Sequence, residues 1–394
     1  MKILLNDGLA KEGIQLFNEA NIEVYTKRRT TEQLISEIGE FDALIVRSAT
    51  KASKKIITAG AKGKLKIIGR AGVGYDNIDV FTASEKGIVV KYAPFGNTNA
   101  VAELTLGLIL GISRNIPQAH QSLKNGKWNK SKLRGTELSH KTLGILGCGK
   151  IGQRVGELVR RGFDMEVLGY DICPCFETNI KMVTKEEVLS KADYISIHTG
   201  GNSVIVGKKE LALMKSTAYL INTSRGSNVD IKALYKALKE KRIAGAAIDV
   251  YNKEPKVEGA EFRSELSDLD NVILSSHLGA STIEAQKETS MEIARVVIGY
   301  LQEGDFTNSV NAGERIELEE KPVYPLFIHH LDVPGVFANI DKILADNEIN
   351  IRANYSRQIG KTGYAVSVYV VHKKVIKETI NQLKKIETIC NVKS

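Results

Sequence analysis

No apolar run in the 394-residue sequence approaches the ~20 residues that a membrane-spanning helix needs. Cysteine is scarce and scattered: Cys148, Cys173, Cys175 and Cys390. Cys173-Pro174-Cys175 has one intervening residue where a redox motif or a zinc knuckle has two, and no second pair exists. This argues against a disulfide framework and points to thiols in a reducing, cytoplasmic compartment. The seven histidines form no metal-ligand spacing, so no metal is expected. The adjacent His329 and His330 would point to opposite sides of a strand. The opening residues 1–8 read as a β-strand, without the long apolar region and small-residue cleavage site of a signal peptide. Acidic residues are outnumbered, giving a net charge of +9. The lysines are nevertheless spread along the chain with no aromatic interleaving, which favours a solvated basic surface over a nucleic-acid face.

What is present is a glycine-rich turn in an informative place. An apolar stretch ends in Gly147-Cys148-Gly149-Lys150-Ile151-Gly152, a helical pattern covers 150–161, and a second apolar stretch at 166–170 delivers Asp171. Gly147 permits the tight turn, Gly149 lets a pyrophosphate approach the backbone, and Gly152 lets the helix lie close on the sheet. The helix N-terminus offers N–H groups and a positive dipole end to the phosphates. Asp171 is placed to accept hydrogen bonds from a ribose 2′-OH and to repel a 2′-phosphate, with no Arg or Lys over 172–176 to pair with one. The motif alone is weak, because glycine-rich turns are common; strand, turn, helix, strand and Asp together specify an NAD site.

Strands and helices alternate along most of the chain. Residues 3–5, 43–46 and 65–68 read as strands, 31–38 as a helix with a Thr-Thr-Glu-Gln cap signal, and 99–112 as a long apolar helix. Later strands fall at 192–198, 218–222, 245–249 and 271–275, the pattern of a parallel, doubly wound sheet covered on both faces. Residues 311–322, acidic and ending in Pro322, read as a linker. The last ~70 residues follow a β-α-β-β-α-β order, which is ferredoxin-like; so small a module commonly pairs with a copy of itself.

Ligands of open α/β sheets sit beyond the carboxyl ends of the strands. Three successive strand ends supply Thr223-Ser224-Arg225-Gly226, then Asp249 and Glu254, then His277. Each has a bland alternative: an Arg pairing a helix end, a Glu on a loop, a His capping a helix. Three on one rim beside an NAD site favour catalysis. Imidazole suits the proton transfer that accompanies hydride transfer from a secondary alcohol, a carboxylate would orient the ring, and a guanidinium could bind an α-carboxylate.

On the residues 47–50, 69–79, 94–103, 128–130, the glycine turn, 224–226, 246–255 and 277–282, the chain resembles the D-2-hydroxyacid dehydrogenases, in the phosphoglycerate-oxidising form that ends in an ACT domain. The resemblance covers nearly the whole chain. It implies a Rossmann cofactor domain (93–281) inserted in a discontinuous, flavodoxin-like substrate domain (1–92 and 282–310), then the 311–322 linker and a C-terminal ferredoxin-like ACT domain (323–394). It implies that Arg225, Glu254 and His277 are catalytic. Along the NAD cofactor it places Gly147, Gly149, Lys150, Ile151, Gly152, Asp171, His198, Thr223, Ser224, Asp249 and Gly279. At the substrate it places Arg47, Ser48, Gly72, Val73, Asn97 and Lys130, with backbone N–H groups of 72–74 on the carboxylate and Arg47, Ser48 and Lys130 at a phosphate. The implied reaction is oxidation of 3-phospho-D-glycerate to 3-phosphohydroxypyruvate, which opens serine synthesis. His330, Asp332 and Asn350 fall where similar enzymes bind L-serine as a feedback effector. The same resemblance implies a homo-oligomer, dimer or tetramer, with Trp128 reaching a neighbouring subunit.

Two departures stand out. Asp332 occupies a position where asparagine is expected, and the 198–204 loop carries Gly200-Gly201 in place of a proline-bearing, longer loop. Other substrates (glycerate, lactate, 2-oxoglutarate) and a non-enzymatic NAD-sensing protein on the same fold remain alternatives at this point.

Overall fold

The computed structural model describes residues 1–172, 180–201, 203–255, 259–311, 324–358 and 363–393. Cys173, Cys175, Asn202 and the linker from 312 to Pro322 lie outside them. The chain divides into two compact units, 1–96 with 286–394, and 97–285. Among the described residues, no helix is long and apolar enough to cross a membrane.

The first unit opens with five short parallel strands: β1 (Lys2–Leu5), β2 (Glu23–Tyr25), β3 (Ala43–Val46), β4 (Ile67–Arg70) and β5 (Val89–Tyr92). They form one sheet in the order β2-β1-β3-β4-β5. β1, β3 and β4 are almost wholly buried, which is why they read as continuous apolar runs. The helix Thr31–Glu37 begins on the expected capping box: Thr30 Oγ1 accepts from the Gln33 N–H, and Gln33 answers at the Thr30 N–H. Lys91 is fully buried in β5 and donates to the carbonyls of Val296, at 2.9 Å, and Asp305, at 2.5 Å, pinning the returning helix Ile283–Ile298 to the sheet.

The second unit holds seven parallel strands: β6 (Thr142–Leu146), β7 (Glu166–Tyr170), β8 (Lys181–Met182), β9 (Tyr194–Ile197), β10 (Tyr219–Asn222), β11 (Gly245–Ile248) and β12 (Val272–Leu274). Their order, β12-β11-β10-β9-β6-β7-β8, is doubly wound, with its switch point between β6 and β9. One side of the sheet packs on the helices Thr98–Ser113 and Lys150–Phe163, and the other on Lys185–Lys191 and Ile231–Lys239.

The remaining strands, β13 (Tyr324–Leu331), β14 (Ile351–Gln358), β15 (Tyr364–Val371) and β16 (Ile389–Lys393), form an antiparallel sheet ordered β14-β15-β13-β16. The helices Val336–Asp346 and Lys377–Leu383 cover one face of it. The other face joins the core of the first unit: Phe327, Val368 and Val370 pack in one cluster with Ile293, Val297 and Phe306. Adjacent residues of β13 therefore serve different cores. His329 stacks on Tyr364 and meets the edge of Phe81, while His330 faces Phe337 on the helix side.

Candidate active site

β10, β11 and β12 end in three polar turns that are fastened to one another. After β10, the fully buried Asn222 folds back on its own turn. Its Oδ1 accepts from the Ser224 N–H at 3.1 Å and the Ser224 hydroxyl at 2.8 Å, and its Nδ2 donates to the Arg225 carbonyl at 2.9 Å. Arg225 Nη1 donates to the Ser224 carbonyl at 2.8 Å. The Thr223 hydroxyl lies 2.9 Å from that of Thr105, tying the turn to the helix Thr98–Ser113.

The second turn leans directly on the first. A Cβ at Gly226 would lie 2.1 Å from the Tyr251 carbonyl carbon, so only glycine permits this approach. The Tyr251 hydroxyl bridges the carbonyls of Ile248, at 3.1 Å, and Ser275, at 2.9 Å. Burial pushes its pKa up to about 12, which keeps it a donor. The Tyr251 N–H donates to Glu254 Oε1 at 3.0 Å.

Asp249 clamps the third turn. It is fully buried, and its carboxylate accepts from the Ser275 hydroxyl at 2.6 Å and the N–H groups of Leu278 and Gly279 at 2.8 and 3.1 Å. The Asp249 carbonyl accepts the His277 N–H at 2.8 Å. So held, His277 adopts φ +57°, a left-handed conformation that a non-glycine residue keeps only where its surroundings impose it. Its Nδ1 meets Glu254 Oε2 at 2.7 Å. That hydrogen bond raises the His277 pKa above the usual imidazole value, against burial and the charge of Arg225. Burial alone would raise Glu254, but its bonds from His277 and the Tyr251 N–H, with the charges of His277 and Arg225, hold it below the usual carboxylate value. With Nδ1 fixed on the carboxylate, Nε2 is the nitrogen left to exchange a proton with a ligand. The pair is a base with an orienting partner, and Arg225 brings a permanent positive charge close enough to influence both.

The glycine turn fits a dinucleotide. Gly147 has φ +98°, and a Cβ there would fall 2.7 Å from the His198 carbonyl carbon; a Cβ at Gly152 would fall 2.2 Å from the Gly147 oxygen. Packing within the protein thus explains two of the three glycines. A Cβ at Gly149 would meet nothing within 4 Å among the described residues, so that glycine keeps open a space they do not fill. Gly149 caps the helix Lys150–Phe163, so the positive end of the helix dipole faces the turn. Asp171 Oδ2 accepts from the Cys148 N–H at 2.7 Å, which sets the carboxylate beside the turn. His198 lies beneath it, Nε2 2.8 Å from the Ser196 hydroxyl, and burial lowers its pKa to about 4, so the ring is neutral.

Arg47, Ser48, Gly72 and Val73 belong to the first unit, and Asn97 and Lys130 to the second. Asp7 Oδ2 accepts from the N–H groups of Arg47, at 2.7 Å, and Thr50, at 3.0 Å, and Asn77 Nδ2 donates to the carbonyls of the same two residues at 2.7 and 2.6 Å. The 47–50 loop is therefore rigidly held. At the 72–74 loop the Gly72 N–H donates to the Arg70 carbonyl at 2.9 Å, closing a tight turn there. Lys130 starts a short 3-10 helix at the surface, two residues beyond Trp128, which is 80% exposed.

Within the effector set, His330 has a different setting from Asp332 and Asn350. His330 is fully buried, with Nε2 2.8 Å from the Ser367 hydroxyl and Nδ1 2.7 Å from the Leu331 carbonyl. Both nitrogens serve the module's own core. Asp332 and Asn350 are exposed, Asp332 accepting from Gln358.

Reasoning from sequence missed Asp7, Asn77, Asn222 and Tyr251. Each orders a loop through hydrogen bonds to its backbone. Only Asn222 left a signal, as an Asn at a strand end before Thr-Ser.

Comparisons with known proteins agree with this geometry. Residues 106–279 match the D-isomer specific 2-hydroxyacid dehydrogenase NAD binding domain, and residues 326–388 match the ACT domain. A D-3-phosphoglycerate dehydrogenase of Methanocaldococcus jannaschii is 42% identical over 79% of this chain and 59% of its own length. The chain thus spans about three fifths of that relative. A hydroxypyruvate reductase of Thermotoga maritima is 40% identical over 75% of this chain and 97% of its own length. Among solved structures, an acyclic imino acid reductase in complex with NADPH and D-Arg superposes with a TM-score of 0.71 at 30% identity, covering 79% of this chain and 100% of its own. The chain belongs to the D-isomer-specific 2-hydroxyacid dehydrogenases, with an ACT domain beyond the NAD-binding domain.

Proposed function

We propose that the protein is an NAD-dependent D-3-phosphoglycerate dehydrogenase, oxidising 3-phospho-D-glycerate at C2 to 3-phosphohydroxypyruvate at the head of serine synthesis in the cytoplasm. The observation that carries this reading is the 2.7 Å bond between His277 Nδ1 and Glu254 Oε2, beside the Arg225 turn. His277 Nε2 takes the C2 hydroxyl proton during oxidation and returns it during reduction. Glu254 orients the ring and stabilises the imidazolium. Arg225 binds the substrate carboxylate and polarises the neighbouring carbonyl. NAD, when bound, accepts the hydride from C2. Asp171 favours NAD over NADP by accepting from the ribose hydroxyls.

In the same reading, residues 1–96 and 286–310 bind substrate, with Val73 and Gly74 donating to its carboxylate and Arg47, Ser48 and Lys130 meeting its phosphate. Residues 97–285 bind the cofactor, with Asn97 close to the substrate. The ACT domain senses L-serine at His330, Asp332 and Asn350. Trp128 joins subunits of a homo-oligomer.

A second reading has a specific support: the relative matched over nearly its whole length is a hydroxypyruvate reductase. One assay separates them. NADH oxidation is followed with 3-phosphohydroxypyruvate, hydroxypyruvate, pyruvate, glyoxylate and 2-oxoglutarate, with and without L-serine. Preference for the phosphorylated keto acid, suppressed by serine, is expected. Preference for hydroxypyruvate or another unphosphorylated acid overturns the phosphate roles of Arg47 and Lys130.

A further inference from the structure

The five-stranded sheet reverses its winding at β1: β2 lies on one side of it, and β3, β4 and β5 lie on the other. Open parallel sheets hold ligands in the crevice that such a reversal leaves beyond the carboxyl ends of the strands. A pocket of about 400 Å³ opens there, bounded by Asn6 after β1, residues 28–31 after β2 and residues 49–51 after β3. Arg47 does not line it, and its described walls contain three cations and no carboxylate.

The floor is polar and fixed. Asn6 and Thr50 are buried, and Asn6 joins all three loops: its Oδ1 accepts the Arg29 N–H at 2.8 Å, and its Nδ2 donates to the Thr50 hydroxyl at 2.8 Å. The Thr50 hydroxyl donates in turn to Asp7 Oδ1 at 2.5 Å, and the other Asp7 oxygen serves the N–H groups of Arg47 and Thr50. Of the three cations, Arg29 is neutralised by Glu37 at 3.0 Å. Glu32 accepts from the Thr30 hydroxyl at the rim. Arg28 and Lys51 make no ion pair among the described residues. Two cations without an ion-pair partner among the described residues thus stand on separate loops of one preformed pocket.

We infer that this pocket binds a phosphate-bearing anion between Arg28 and Lys51, a guanidinium fork and an ammonium point charge held over a fixed polar floor. Two sources can supply that chemistry: a separate phosphorylated metabolite, or the phosphate end of the substrate itself.

Inorganic phosphate on the full-length protein is the probe. Acylation of Lys51 by an amine reagent, read by mass spectrometry, should slow when phosphate replaces chloride at equal ionic strength, and the protection should vanish in Arg28→Gln. Labelled-phosphate dialysis should show one component weakened about tenfold or more by Arg28→Gln or Lys51→Gln, since each removes a hydrogen bond to a charged group. Equal Lys51 reactivity with and without phosphate, or phosphate binding indifferent to both substitutions, overturns the inference. The source is read from the double variant: a raised KM for the phosphorylated keto acid at unchanged kcat identifies the substrate, and an unchanged KM with phosphate binding lost identifies a separate ligand. Neither binding measurement needs turnover, so a failure of the dehydrogenase reading would leave this result interpretable.

Discussion

His277 and His329 show what two environments make of one side chain. His277 stands half exposed at the rim of the seven-stranded sheet, with Glu254 on Nδ1 and its pKa raised. His329 is 2% exposed on the ACT sheet, stacked on Tyr364 and edged by Phe81, with no hydrogen-bond partner for either nitrogen among the described residues. Burial lowers its pKa, with the charge of Glu85 opposing and His330 adding to the fall. A carboxylate partner and partial access to water favour the protonated form of one ring. Aromatic walls make the other a neutral packing element in the joint between the ACT sheet and the helix Val80–Glu85.

The largest test removes both rings in turn. His277→Ala should lower kcat about 10²–10⁴-fold, the usual worth of a positioned acid–base group, with an unchanged urea midpoint. His329→Ala should do the reverse, keeping kcat while lowering that midpoint. A stability loss at 277, or an activity loss without one at 329, would break the contrast.

Glu254→Gln sharpens it. Without the carboxylate that raises His277, the ring should lose its proton at lower pH, so keto-acid reduction should decline from a lower pH than in the wild type. A pH–rate profile with an unmoved limb would mean that Glu254 does not control the ring.

Glycine offers the same division of labour. Gly152→Ala forces a Cβ against the Gly147 oxygen and should destabilise the fold by about 1–3 kcal/mol, the range for overpacking. Gly149→Ala meets no atom of the described residues and should leave the melting temperature of the ligand-free protein unchanged while weakening NADH binding in a fluorescence titration.

The smallest expected effect is the acid response of the ACT joint. A base whose folded pKa lies below its unfolded value of ~6.5 takes up a proton on unfolding, so stability held above that pH is lost as the pH falls through it. One such group contributes at most about 1.4 kcal/mol per pH unit. His198, held at about 4, acts with the same sign. The signature of His329 is therefore the flattening produced by His329→Phe in urea midpoints measured between pH 7.5 and pH 5.5. Identical slopes in the two proteins would refute it.

Much of this was legible in the sequence, for identifiable reasons. Buried parallel strands must be apolar throughout, so β3, β7 and β9 to β12 announced themselves, and the polar ends of β10, β11 and β12 delivered Arg225, Glu254 and His277 in order. β4 begins two residues later than its apolar run suggests: Leu65 is buried in the approach to the strand, which continues through Gly69 to Arg70. The edge strands β2 and β8, three and two residues long, are too short to carry a pattern. His330 has the residue type and position of a ligand contact, and only the packing of β13 against β15 showed that Ser367 had already engaged it.

Gly226 sets a tolerance for the whole rim. Because nothing but hydrogen fits between its Cα and the backbone of Tyr251, the loop that presents the guanidinium and the loop that presents the carboxylate abut without a spacer. Their separation is therefore gauged by backbone contact rather than by side chains that could drift. Any added carbon would act as a shim, moving the Arg225 loop away from the loop that holds Glu254.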